Sequence, residues 1–100
     1  MAGAGDHGPA PLELAIRGAA PNPAVGGRFW VEFVLRDGSP ARLELMDVAG
    51  RVLTAKNVGA LGPGTHALDL SGSGRRPPGI YFLRLTQDGS EVRARAVVIR

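Results

Sequence analysis

Arg28-Phe29-Trp30-Val31-Glu32-Phe33-Val34-Leu35, then Arg36-Asp37-Gly38-Ser39-Pro40, then Ala41-Arg42-Leu43-Glu44-Leu45-Met46-Asp47-Val48: two alternating runs divided by turn residues decide the fold class. In an extended chain successive side chains point to opposite faces, so Phe29, Val31, Phe33 and Leu35 share one face and Trp30, Glu32 and Val34 the other. In the second run Ala41, Leu43 and Leu45 face in, and Arg42, Glu44 and Met46 face out. The Asp37-Gly38 pair followed by Pro40 is a turn with a proline stop, so the two runs are expected to double back on each other as a hairpin.

The same grammar extends in both directions. Leu12, Leu14 and Ile16 alternate with Glu13 and Ala15 as a first strand. Asp47 to Arg51 is a turn, because Asp47 can accept from the amides ahead of it and Gly50 can take a positive φ. Val52 to about Val58 is a short strand, and Gly59 to Gly64 a glycine-rich connection. Thr65 to Leu70 follows with Leu68 and Leu70 on one face. Ser71 to Gly79 is a second glycine- and proline-rich connection through which no strand could continue. Gly79-Ile80-Tyr81-Phe82-Leu83-Arg84-Leu85 is apolar on both faces, as a central strand is. Asp88-Gly89 makes a last turn, and Val92 to Ile99 closes the sheet.

About seven strands, spaced roughly ten residues apart with no stretch of helical period, predict an all-β immunoglobulin-like sandwich of two antiparallel sheets. A chain of 100 residues has room for one hydrophobic core. Residues 1–11, mostly Gly, Ala and Pro, read as a flexible linker, and 12–100 as the sandwich. The Gly3, Gly5 and Gly8 spacing has neither the preceding strand nor the following helix that a dinucleotide site requires. The expected interior brings together Phe29, Leu43, Leu45, Leu68, Tyr81, Leu83 and Leu85.

Composition narrows function by exclusion. With no cysteine there is no disulfide, thiolate metal site or cysteine nucleophile. The net charge of +3 is modest, and Glu13, Glu32, Glu44 and Asp69 are interleaved with the arginines. No nucleic-acid partner is expected, because the aromatic residues lie within apolar runs rather than along a basic stripe. No window reaches the length of a membrane span, and the first 25 residues have no signal-peptide pattern. His66, Asp69 and Ser71 have the residue types of a hydrolase triad, yet alternation turns Asp69 away from His66, so no catalytic role is read there. Asp37, Asp47 and Asp88 sit in separate turns without the dense spacing of a calcium loop, so neither metal nor cofactor is expected. Arg93 and Arg95 share a face and Arg75-Arg76 lie in a connection. Such arginines either meet an anionic partner or blunt a sheet edge. Trp30 points away from Phe33, either exposed as a contact surface or covered by neighbouring side chains.

From Pro21 to Arg100 the chain resembles the C-terminal sorting domain of the type IX (Por) secretion system, a family sharing its fold with the immunoglobulin-like domain of the flagellar hook-capping protein. The ordered features are Pro21-Asn22-Pro23, the run from Ala41 through Asp47 and Gly50 to Arg51, and Leu61-Gly62-Pro63-Gly64-Thr65-His66. Gly79-Ile80-Tyr81 with its continuation, and the ending Val97-Val98-Ile99-Arg100, complete them. The resemblance implies a non-catalytic sorting and attachment signal of a bacterial secreted or surface protein. It implies an outer-membrane translocon and a processing peptidase as partners, a passenger domain N-terminal to this chain, and lipopolysaccharide as a possible anchor. It also implies transit through the periplasm within a longer precursor, with recognition by the last strand through Arg93, Arg95, Val97, Val98, Ile99 and Arg100. The alternative is a structural or carbohydrate-binding accessory sandwich, with Trp30 as its contact residue.

Overall fold

The alternating runs become strands in a computed structural model that describes residues 12–20, 24–25, 28, 30–70 and 76–99. In chain order these are β1 (Ala15–Ala20), β2 (Ala24–Val25), β3 (Trp30–Leu35), β4 (Ala41–Met46), β5 (Val52–Asn57), β6 (Gly64–Asp69), β7 (Gly79–Gln87) and β8 (Ser90–Ile99). A single 3-10 turn, Gly59–Leu61, interrupts the β5–β6 connection. The strands form a two-sheet β-sandwich. One sheet is antiparallel with the order β1-β3-β6. The other has the antiparallel order β8-β7-β4-β5, to which the two-residue β2 adds in parallel beside β8.

The inward rows meet between the sheets. Val31, Phe33 and Leu35 from β3 and Leu43, Leu45, Leu83 and Leu85 from β4 and β7 are fully buried, with Tyr81, Ala96 and Val98 nearly so. Leu14, Ile16 and Leu68 pack against this cluster from its rim. Of the expected interior, Phe29 lies outside the described residues. β7 is the central strand, paired on both sides by β4 and β8, as its two apolar faces predict.

One expectation is overturned. β3 and β4 are not a hairpin: β3 pairs only with β1 and β6, and β4 only with β5 and β7. The Arg36–Pro40 connection is therefore a corner that carries the chain from one sheet to the other. The cause is where its backbone groups go. Asp37 Oδ1 accepts from the Ser39 amide at 2.9 Å, closing a turn on itself, and Pro40 has no amide to donate. The Arg36 amide donates to the Gln87 side chain at 2.9 Å instead of to a neighbouring strand. The inward rows of β3 and β4 then face each other across the core rather than lying side by side. β1 also begins later than expected, at Ala15, with Leu12 exposed before it and a register irregularity between Ile16 and Gly18.

The true hairpins are β4–β5 and β7–β8. The latter turns on Asp88 and Gly89, both at positive φ, which suits the twist of a two-residue hairpin. Tyr81, near the start of β7, donates its hydroxyl to the Pro77 carbonyl at 2.6 Å. That contact ties the β6–β7 connection to the core strand as immunoglobulin-like sandwiches do at this corner.

Candidate functional site

β8 gathers most of the residues singled out for recognition, and its period of two sorts them. Arg93 and Arg95 are exposed on the outward face, with Ile99 exposed and Val97 half-buried on the same side. Val98 has the opposite parity and is buried in the core, so it supports the strand and cannot meet a partner. Arg100 lies outside the described residues, as do Pro21, Asn22, Pro23 and Arg75. Arg76, in the β6–β7 connection, is half-buried.

β8 is also close to a sheet edge. Along its outer side, among the described residues, only Ala24 and Val25 pair with it, at Val98 and Ile99. β1 of the other sheet runs near it without a ladder. From Ser90 to Val97 the outer backbone groups of β8 thus have no strand partner among the described residues.

Next to β8 on the outward face stands a charged cluster that alternation did not expose. Glu44 points out of the sandwich, yet it is only 5% exposed. Two arginines close over it: Arg84 Nε donates to Glu44 Oε1 at 2.6 Å, and Arg42 Nε to Oε2 at 3.1 Å. The Arg84 hydrogen bond, aided by Arg42, holds the Glu44 carboxyl below the usual carboxylate range against the opposing cost of burial. A depressed folded-state pKa means stabilisation that is present above the unfolded value of about 4.3 and is lost as pH falls through the folded value. Glu44→Gln is therefore expected to cost about 1 kcal/mol at pH 7, discounted because Arg42 reaches solvent, with the gap from the parent chain closing toward pH 3. Urea unfolding of both proteins at the two pH values measures this, and an equal gap at both would show that the charge is not responsible.

The Asp47–Arg51 turn explains the spacing of its sequence signature. Asp47 Oδ1 accepts from the amides of Ala49 and Arg51, and Oδ2 from Arg51 Nε at 2.8 Å. The Gly50 amide reaches the Asp47 carbonyl at 3.0 Å with Gly50 at φ +85°, a conformation that favours glycine. These contacts, the Arg51 amide foremost, lower the Asp47 pKa. Gly64 and Gly79 open β6 and β7, both at positive φ.

The remaining candidates are scattered. Trp30 is 53% exposed on the outer face of the three-stranded sheet, which decides in favour of exposure over cover. His66 is half-buried over Phe33, ring centroids 5.7 Å apart, and donates from Nε2 to the Gly62 carbonyl at 2.8 Å. It is thus more enclosed than a surface residue at a strand's beginning. Asp69, opposite Trp30 in the ladder, has the other parity, and Ser71 lies outside the described residues, so no triad is assembled among the described ones. Nor do the described residues contain a group of three or more His, Cys, Asp or Glu that could hold a metal. No described helix is long and apolar enough to cross a membrane.

Sequence reasoning missed Gln87. It shares parity with Tyr81, Leu83 and Leu85 and is 1% exposed, so an amide on the inward row of an apolar strand was the available signal. Its role is structural, gripping the Arg36–Pro40 corner. Comparison with models of protein families and with curated proteins finds no match to this chain.

Proposed function

We propose that the chain is a non-catalytic sorting and attachment module of a bacterial secreted or surface protein, recognised by the type IX secretion machinery. The observation that carries the reading is β8: it lies near the sheet edge, its outer backbone groups from Ser90 to Val97 have no strand partner among the described residues, and it presents Arg93, Arg95 and Ile99 to solvent. An edge of this kind recruits a partner by strand addition, with main-chain hydrogen bonds giving affinity and alternate side chains giving specificity. The order of motifs from Pro21 to Arg100 adds the family resemblance. On this reading the translocon and a processing peptidase act on the domain, and a passenger precedes it.

The test is a fusion of residues 12–100 behind a periplasmic reporter, expressed in a bacterium with the type IX system and in an isogenic strain lacking its translocon. The reporter is expected at the cell surface or in the medium only in the first strain. Equal periplasmic retention in both, with the domain protease-resistant, overturns the reading. Truncating the last residues is a poor alternative, since it removes Val98 from the core.

A second reading, a carbohydrate-binding accessory module, is favoured by the exposure of Trp30. As the only tryptophan, it would report a bound sugar directly through its fluorescence.

A further inference from the structure

The outward face of the larger sheet is divided along its strands. At one end Arg42, Glu44 and Arg84 satisfy one another. At the other end the cross-strand neighbours are apolar: Met46 lies opposite Phe82 on one side and Val52 on the other, and Ile80 lies opposite Val97. Phe82 is 38% exposed, Ile80 and Val52 are exposed further, and Val48 in the adjoining turn is 72% exposed. Single exposed apolar residues need no explanation, but Val48, Val52, Ile80 and Phe82 are exposed together around the buried Met46 and the half-buried Val97, a grouping that suits a contact surface.

Beside this patch is a cleft of about 200 Å³ lined by Met46, Asp47, Val48, Gly50, Phe82 and Arg93. Its lining combines the buried Met46 with residues of the turn that Asp47 locks in place. Arg95 lies directly across from Phe82 in the ladder. Arg93 is held by Glu91 at 2.6 Å, whereas Arg95 has no ion-pair partner among the described residues.

We propose that this half of the face docks an extended segment of a partner protein, which places one apolar side chain in the cleft and a carboxylate on Arg95. Charge complementarity and size select that occupant. The cleft is smaller than the roughly 300–1,000 Å³ of small-molecule pockets and suits a single side chain. A second copy of this chain is disfavoured, because the outward carboxylates it could offer to Arg95 from this face, Glu44 and Glu91, are already engaged by arginines of their own chain. An anionic membrane calls for a cluster of about 4–8 basic residues, whereas Glu44 and Glu91 offset two of the four arginines among the described residues of this face and leave a net two positive charges. The proposal concerns a side-chain face, not the β8 backbone edge, and does not depend on the sorting reading.

The test is fluorescence anisotropy with the full 100-residue chain and a fluorescein-labelled decapeptide alternating glutamate with leucine and phenylalanine, alongside its lysine counterpart. Saturable binding of the glutamate peptide alone is expected. Arg95→Glu should weaken it at least about tenfold, and Val48→Asp should also weaken it. Arg17→Glu, the same charge change on an exposed position of the other sheet, should leave it within about twofold. All three substitutions are at exposed positions, and circular dichroism confirms that each variant is folded. Four results would overturn the proposal: no binding of the glutamate peptide, equal loss with Arg17→Glu, preference for phosphatidylglycerol vesicles over the peptide, or a dimer in sedimentation that Arg95→Glu strengthens.

Discussion

Replacing Gln87 with methionine is expected to lower the unfolding free energy by about 3 kcal/mol, on the order of 15 °C in Tm for a domain of this size. Methionine fills nearly the same volume, so no cavity opens and the cost is one of hydrogen bonding. Gln87 Nε2 donates to the Asp37 carbonyl at 2.9 Å and the Ser39 carbonyl at 3.0 Å, and its Oε1 accepts from the Arg36 amide at 2.9 Å. A thioether replaces none of these, leaving one donor and two acceptors of the sheet-to-sheet corner unpaired beside the core. Each such group costs about 1–3 kcal/mol when dry, and the partial exposure of the corner sets the lower part of that range. Gln87→Glu keeps the acceptor and loses both donated bonds, so it is expected to be destabilised as well. Guanidinium or thermal unfolding reads both variants. A Gln87→Met midpoint within about 1 kcal/mol of the parent would mean that the corner holds without this side chain.

The second large effect is at Gly59→Ala. A Cβ built there sits 2.6 Å from the Ser39 carbonyl oxygen, 2.8 Å from the Ala41 amide nitrogen and 2.9 Å from Pro40 Cα. All three are backbone atoms, so no side chain can swing aside. The backbone cannot drift either: the Val58 amide holds the Ala41 carbonyl at 2.9 Å, and Gln87 holds Ser39. Gly59 has no left-handed φ, so the cost is purely the close approach of two segments. A loss of about 3 kcal/mol or more is expected, a large share of the roughly 5–15 kcal/mol that holds a small domain together. Gly38→Ala is the control, with open space around its Cβ and no positive φ. It is expected to be neutral or slightly stabilising through the unfolded chain. Equal stabilities for the Gly59 and Gly38 variants would show that the 3-10 turn is free to move away from the corner.

Both effects converge on the connection that a reading of the sequence assigned to a hairpin. Asp37-Gly38-Ser39-Pro40 does turn, and Asp37 does bond ahead to Ser39, as its residue types predict. What local chemistry could not say was where the chain goes next. Phe33 and Leu35 on β3, and Leu43 and Leu45 on β4, have inward rows that are equally compatible with lying side by side in one sheet or facing each other from two. The packing of the two sheets decides, and it brings in Gln87, some fifty residues away in the chain, to take the backbone groups of the corner.

The candidate site was legible to a similar depth. Alternation along β8 was sufficient to set Arg93 and Arg95 on one face, and it equally implied that Val98 faces inward. The burial of Glu44 was not legible, because parity sends it outward and only Arg84, brought beside it by the β4–β7 register, encloses it. Nor was the apolar half of that face, since Met46, Val52, Phe82 and Val97 come from four strands whose neighbours are set by pairing.

The chain by itself determined most of its strands, its turns and the side of each of those strands that turns inward, because a period of two and the φ preferences of Gly, Asp and Pro are local properties, whereas the two-residue β2 exists only through its pairing with β8. Tertiary structure alone decided which strands are neighbours, which outward residues become buried and which arginines close over Glu44. Those depend on contacts between segments far apart in sequence, where several pairings satisfy the same local pattern and only the packing of the two sheets selects one.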